Sequence, residues 1–411
     1  QDISNNFING LFMLGSFCSV GLFLGFLPAL MSFLCWLLYL SICTMGGPFF
    51  SFQWDILLLE VGFLAIFLSP LKLFAFSYKK TLTEKPPSSL VIFLFHLLLF
   101  KLMFSSGVVK LLSGDYTWSS LTALYHHFET QPLPTWVAWY AHFLPKSILQ
   151  LSTAIMFFIE LVVPFFIFFP RRVKALAFIL LSSLQLLILI TGNYTFFNVL
   201  TLGLCLFLLD DTFLRRFTPF INIKKSKNLF SFQRSFYFLV FIVFFFMNIS
   251  KLPIVDYSFI PRWVNSFRTV NSYGLFAVMT HPRYEIIIEG SNDQISWKPY
   301  EFKWKPGDVN QTPEFVAPHQ PRLDWQMWFA ALRPYRYVHW FPPFLNHLLK
   351  GTPEVLMLLE KNPFKDSPPK WIRCHLYLYQ FHPQQKNEIG EKTWWKRSFH
   401  KNYCPTFSLT K

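Results

Sequence analysis

Three groups of residues carry side chains that do chemistry in other proteins. The first lies at 121–144, LTALYHHFETQPLPTWVAWYAHFL, where His126, His127, Glu129 and His142 are metal-ligand types. A helical zinc pair needs i,i+4 spacing, and His126 and His127 are adjacent with nothing to fix a third ligand, so the spacing argues against a metal. The second is a set of ionisable groups inside apolar runs: Asp55, Glu60, Lys101, Lys110 and Glu160, with His96 nearby. A lysine removed from water loses its proton more readily, so Lys101 beside Glu60 is where a membrane-embedded base would sit. The third is His319, Arg322 and Asp324, which do not form a nucleophile–base set. Cys18, Cys35, Cys43, Cys205, Cys374 and Cys404 contain no CxxC pair, which argues against a zinc or redox motif. These patterns predict no catalytic residues, no metal and no cofactor.

Hydropathy sets the elements that must hold these groups. Of 411 residues 53% are hydrophobic, 14% are charged and 52 are phenylalanine, too apolar for an ordinary soluble enzyme. The net charge of +15 suggests a nucleic-acid partner until the charges are located. Many of the basic residues fall between apolar runs, so membrane lipid is the expected partner and nucleic acid is not. A spanning helix needs about 20 mostly apolar residues. The runs 8–43 (two helices broken at Pro28), 52–76, 89–112, 147–169, 173–190, 196–209 and 235–249 give seven or eight spans. The chain starts at Gln1 with no charged segment ahead of an apolar run, which reads as an incomplete or processed start and not as a signal peptide.

Loop charge orients the spans. Basic residues gather at 72–85 (Lys72, Lys79, Lys80, Lys85), at Arg171, Arg172 and Lys174, and at 215–234 (Arg215, Arg216, Lys224, Lys225, Lys227, Arg234). The intervening connections are neutral or acidic, so the basic ones face the cytosol and residues 251–411 lie on the other side. Asn-x-Ser/Thr sequons at Asn193, Asn248 and Asn310 agree, Asn310 being farthest from the spans. Each charge at membrane depth needs a partner or a wet cavity. Matching depths on antiparallel spans predicts two ion pairs, Asp55–Lys110 and Glu60–Lys101, with snorkelling to the interface as the alternative for Asp55 and Lys110. The aromatics Tyr125, Phe128, Trp136, Trp139, Tyr140 and Phe143 read as an interfacial belt.

Composition changes at Lys251, where proline becomes frequent and long apolar runs stop. The chain therefore divides into a helical membrane bundle, 1–250, and a water-facing domain, 251–411. In the latter, YEIIIE (284–289), the turn residues 290–293 and WKPYEFKW (297–304) predict paired strands. The EGSNDxxxW pattern resembles a strand pair of discoidin-type domains and favours a β-sandwich of jelly-roll type. In APHQPRLDWQMWFAAL (317–332) Asp324, Trp325 and Trp328 have helical spacing. They form either a capped core face or an exposed aromatic patch.

Several stretches together resemble the lipase maturation factor family, and more closely its type-2 branch. They are SFQWDILLLEVGFLAIFLSP (51–70), SSGVVKL (105–111), LTALYHHFETQPLP (121–134), TGNYTFFN (191–198), FRTVNSYGLFAVMT (267–280), EGSNDQISW (289–297), the 317–332 run and TWWKR (393–397). The resemblance implies a multi-pass endoplasmic-reticulum membrane protein with a luminal C-terminal domain. It implies a role in maturation of client secretory proteins, dimeric lipases such as lipoprotein lipase among them. It also implies a chain longer at both ends than this one. A Cys374–Cys404 disulfide is compatible with an oxidising lumen, although the family pattern does not require it.

On this reading the luminal domain binds partly folded client, with Arg322, Trp325, Trp328 and Phe329 as the client-binding patch and the turn 271–274 as a further surface or framework determinant. If both tryptophans are interior, they are scaffold and the client face lies elsewhere. The alternative is an integral-membrane enzyme distantly like the vitamin K-dependent carboxylases. That reading requires Lys101 unpaired in a wet cavity, whereas a dry Lys101–Glu60 pair favours structure.

Overall fold

The computed structural model describes residues 4–75, 81–84, 87–210, 213, 222–225, 231–255, 260–383 and 393–409, without the side chains of 81–84, 222–225 and 231–234. Of the basic loop residues, Lys79, Lys80, Lys85, Arg215, Arg216 and Lys227 lie outside the described residues, as do the side chains of Lys224, Lys225 and Arg234. The chain forms two compact units. The first comprises 1–115, 154–186 and 197–278; the second comprises 116–153, 187–196 and 279–411. Neither is a continuous stretch, and residues 251–278 group with the helices of the first unit.

The helices are α1 (Asn5–Phe23), α2 (Pro28–Met45), α3 (Gln53–Leu68), α4 (Ser89–Leu112), α5 (Lys146–Leu161), α6 (Arg171–Thr191), α7 (Phe197–Cys205) and α8 (Ser231–Ile249). Among the described residues five helical segments are long and apolar enough to cross a membrane: α1, α2, α4, Lys146–Phe168 and α6. Gly25, at φ 71°, turns the chain between α1 and α2, and Pro28 opens α2, where a missing N–H costs nothing. In the first unit α4 is the central helix, buried from Val91 to Lys110 on most faces. α1 is the opposite case. Met13, Phe17 and Phe23 are 74%, 68% and 82% exposed, and the helix carries no charge. Apolar surface on that scale matches a lipid environment.

The second unit is built on an antiparallel sheet in the order β4–β3–β7–β8: β3 (Arg283–Ser291), β4 (Lys298–Pro299), β7 (Trp371–Phe381) and β8 (Trp395–Ser408). A two-stranded ribbon pairs β5 (Glu301–Phe302) with β6 (Leu359–Lys361). Two further strands of the chain, β1 (Thr81–Glu84) and β2 (Asn222–Lys225), pair in parallel. Arg283 faces Tyr379, Ser291 faces Trp371, and Phe381 faces Trp395. Helix α9 (Arg322–Ala331) packs on β3 and helix α10 (Phe341–Leu349) on β7. The unit is thus β-rich, with helices on its sheet. Its described strands fall short of the two full facing sheets that a jelly roll requires.

Candidate functional site

The most constrained polar cluster of the first unit centres on Glu60, which is fully buried. Its carboxylate receives four hydrogen bonds. Lys101 Nζ donates to Oε1 at 2.6 Å, while Oε2 accepts from the Tyr273 hydroxyl at 2.7 Å, the Asn271 backbone N–H at 2.9 Å and Asn271 Nδ2 at 3.2 Å. Lys101 is equally buried and lies 5.2 Å from the centre of the Tyr273 ring. Burial first, then the Glu60 carboxylate, pushes the Tyr273 phenol well up, so it stays a donor. A carboxylate with its lone pairs occupied and an ammonium committed to it form a packing device. A free base would need Lys101 without its partner.

Lys110 does not pair with Asp55. Its Nζ donates to both oxygens of Glu160 on α5, at 2.9 and 2.7 Å, and to the Ser106 carbonyl at 3.0 Å. Asp55 instead accepts from the Tyr39 hydroxyl at 2.5 Å and caps α3 through the Phe52 N–H at 3.3 Å. The reason is azimuth: depth matches Lys110 to either acid, but α4 presents it to α5. Gly107, one turn earlier, allows that approach, because a Cβ there would meet Leu161 Cδ2 at 2.7 Å and Glu160 Cβ at 3.1 Å. Gly107→Val is therefore expected to destabilise the chain by about 1–3 kcal/mol through overpacking, measured by thermal unfolding in detergent. A melting point equal to that of the parent chain would remove glycine's role.

In the second unit the residues expected to bind client are mostly interior. Trp325 is 4% and Trp328 8% exposed, and Trp328 Nε1 donates to the Thr130 carbonyl at 2.9 Å. The two tryptophans are scaffold, because α9 turns them toward its own core. Only Phe329, at 38%, reaches the surface substantially, with Arg322 half-buried. Asp324 is also buried and accepts the N–H groups of Trp304 and Lys305 at 3.0 and 2.9 Å. Trp328→Phe, which keeps a ring and loses that hydrogen bond, is expected to cost about 1–2 kcal/mol in unfolding free energy. Phe329→Tyr, which keeps the ring packed on Trp328 and adds a hydroxyl at a partly exposed position, is expected to stay within about 0.5 kcal/mol of the parent. Equal effects of the two would contradict this division.

The second unit holds an ionic cluster of its own, which hydropathy does not reveal. Arg283 and Glu285, both fully buried on one face of β3, bond at 2.6 Å, and Lys305 Nζ lies 2.9 Å from the other Glu285 oxygen. Arg283 also donates to the carbonyls of Glu129 (2.9 Å), Gln131 and Pro132 (2.8 Å). Arg283 and Glu285 stand two apart, the spacing of one strand face, which is the signal the sequence carried.

The histidine-rich segment makes other bonds. Glu129 accepts the Phe381 N–H at 2.7 Å and lies 3.9 Å from His142 Nε2. Burial raises the Glu129 pKa and lowers that of His142, which holds the pair toward neutrality. Among the described residues no three His, Cys, Asp or Glu side chains are grouped as metal ligands. Asn193 and Asn248 are 2% and 1% exposed. Asn193 Nδ2 donates to the carbonyls of Leu133 and Glu314, and its Oδ1 accepts from the N–H groups of Val316 and Ala317. Neither asparagine can carry a glycan in this fold, whereas Asn310 is exposed. Cys374 and Cys404 stand opposite each other on β7 and β8 as buried free thiols, not a disulfide.

Helices suited to a membrane, together with a unit built on an antiparallel sheet, define a membrane-type helical part with a β-rich domain. The chain belongs to the lipase maturation factor family, on its type-2 side. The family's transmembrane-domain model matches residues 1–216, and its C-terminal-domain model matches 269–405. Lipase maturation factor 2 of Gallus gallus is 35% identical, over 90% of this chain and 67% of that protein. Lipase maturation factor 2 of Homo sapiens is 34% identical, over 92% and 69%. Lipase maturation factor 1 of Mus musculus is 36% identical, over 91% and 69%. No solved structure matches. The relatives are named as maturation factors, not as enzymes.

Proposed function

We propose that the chain is an endoplasmic-reticulum membrane factor that assists the folding, assembly and export of client secretory proteins, dimeric lipases among them. The observation that carries this reading is the match of both family models, in order, over most of the chain. Residues 251–411 face the lumen and meet the client there, while the helices anchor the chain. With α3 and α8 counted besides the five long helices there are seven crossings, and eight if the short α7 region also crosses. The committed Lys101–Glu60 pair supports a structural bundle over a carboxylase-like one.

Secretory cells lacking the endogenous factor, rescued with this chain, test the reading. Rescue should restore secreted activity of a dimeric lipase and leave a monomeric secreted enzyme unchanged; no recovery of the lipase would sink it. Orientation has its own expected result. Glycosidase should remove a single glycan, lost in Asn310→Gln and kept in Asn193→Gln. A chain with no glycan at Asn310 and a tail cut by protease outside sealed microsomes would reverse the topology.

A further inference from the structure

In the first unit the last turns of α2, the start of α3 and residues 265–268 border an open cleft of about 450 Å³. That volume lies in the range of small-molecule sites. Its lining is mainly polar, with Thr44, Ser51, Asn265, Ser266 and Arg268, and the apolar Leu40, Ile56 and Leu59 lie behind it, Leu40 and Leu59 buried. No lining residue is acidic. The Arg268 guanidinium has no hydrogen-bond or ionic partner among the described residues and is exposed. Lys251 Nζ stands at the edge, donating to Asn265 Oδ1 at 3.2 Å.

The placement of Arg268 is enforced. Its φ is 52°, a conformation bulky residues avoid. Asn271 Nδ2 holds the Arg268 carbonyl at 2.8 Å while the same residue bonds Glu60. The buried Glu60–Lys101 pair therefore fixes the turn that presents this cation. Trp263 and Phe267, 68% and 44% exposed, flank the segment, and such aromatics collect at headgroup depth. α2 is long and apolar enough to span, and a spanning α2 places its last turn at that depth as well.

We propose that this cleft binds an anionic phospholipid, its phosphate on Arg268 with Lys251 nearby and the start of an acyl chain against the exposed rings of Trp263 and Phe267 beside it. The proposal rests on α2 being a membrane span, which alkaline carbonate extraction of the full chain checks separately. The full chain in neutral detergent is titrated with short-chain phosphatidylserine, with phosphatidylcholine and with inorganic phosphate, and bound lipid is counted by native mass spectrometry. Phosphatidylserine should bind saturably and at least about tenfold more weakly to Arg268→Gln, the loss expected for one charge-assisted hydrogen bond. Arg268→Lys should retain part of the affinity, Ser51→Trp should abolish it by filling the cleft, and Arg262→Gln should leave it unchanged. Parent-like affinity in Arg268→Gln or Ser51→Trp, or equal retention of phosphatidylcholine, overturns the proposal. Inorganic phosphate binding as tightly as the lipid would assign the site to free phosphate and overturn it too. A carbonate-resistant chain failing these tests refutes the cleft alone; a chain extracted by carbonate refutes the span.

Discussion

Lys101→Met is expected to destabilise the chain by about 3–5 kcal/mol, the cost of leaving one member of a buried ion pair unpaired. Glu60 would keep its three donors from Tyr273 and Asn271, but its negative charge would be left without a cation. The double variant Glu60→Met with Lys101→Met removes both charges and should recover part of the loss. It leaves the Tyr273 hydroxyl and the Asn271 backbone N–H without their acceptor, while Asn271 Nδ2 keeps the Ile56 and Arg268 carbonyls, so a residual loss of about 1–3 kcal/mol in all should remain. The double-mutant cycle should therefore show strong coupling between the two sites. The measurement is thermal unfolding of the full chain in detergent, with Glu60→Gln as the isosteric control. A Lys101→Met chain within about 1 kcal/mol of the parent would mean that water or lipid headgroups reach the site. It would also reopen the catalytic reading of Lys101.

What the sequence made legible follows from which coordinates a pattern encodes. Hydropathy encodes depth along a span, and depth brings Glu60 opposite Lys101; the two meet at 2.6 Å. Depth does not encode azimuth, and so depth alone pairs Lys110 with Asp55, whereas α4 turns it to Glu160. Gly107 held the missing information, since a small residue one turn from a buried charge marks where another helix comes close. The strand YEIIIE was legible from β-branching. The ionic role of Arg283 and Glu285 was not, because their partners come from residues 129–132 and 305, far away in the chain. The tryptophans of α9 illustrate a third limit. Helical spacing places Trp325 and Trp328 on one face but cannot say whether that face looks inward or outward.

Arg283→Met is the substitution expected to damage the second unit most, by at least about 3–5 kcal/mol. The guanidinium serves three carbonyls and one carboxylate oxygen, all in a place where Arg283 and Glu285 have no solvent exposure. Methionine fills much of the volume and supplies none of the donors. The carbonyls of Glu129, Gln131 and Pro132 would be left without this donor, and Glu285 would have Lys305 as its remaining cation. Arg283→Lys keeps the charge and loses the planar fork, so it cannot reach carbonyls and carboxylate together; an intermediate loss is expected. Trp395 provides a local readout, because the Arg283 guanidinium lies 5.1 Å from its ring. In Arg283→Met the tryptophan fluorescence transition should move to lower denaturant, and protease should cut the chain sooner. The segment 129–132 is the place to look for the first cuts, since its backbone would lose the group that gathers it. Equal stability of the arginine and lysine chains would show that charge alone, and not the fork, organises this cluster.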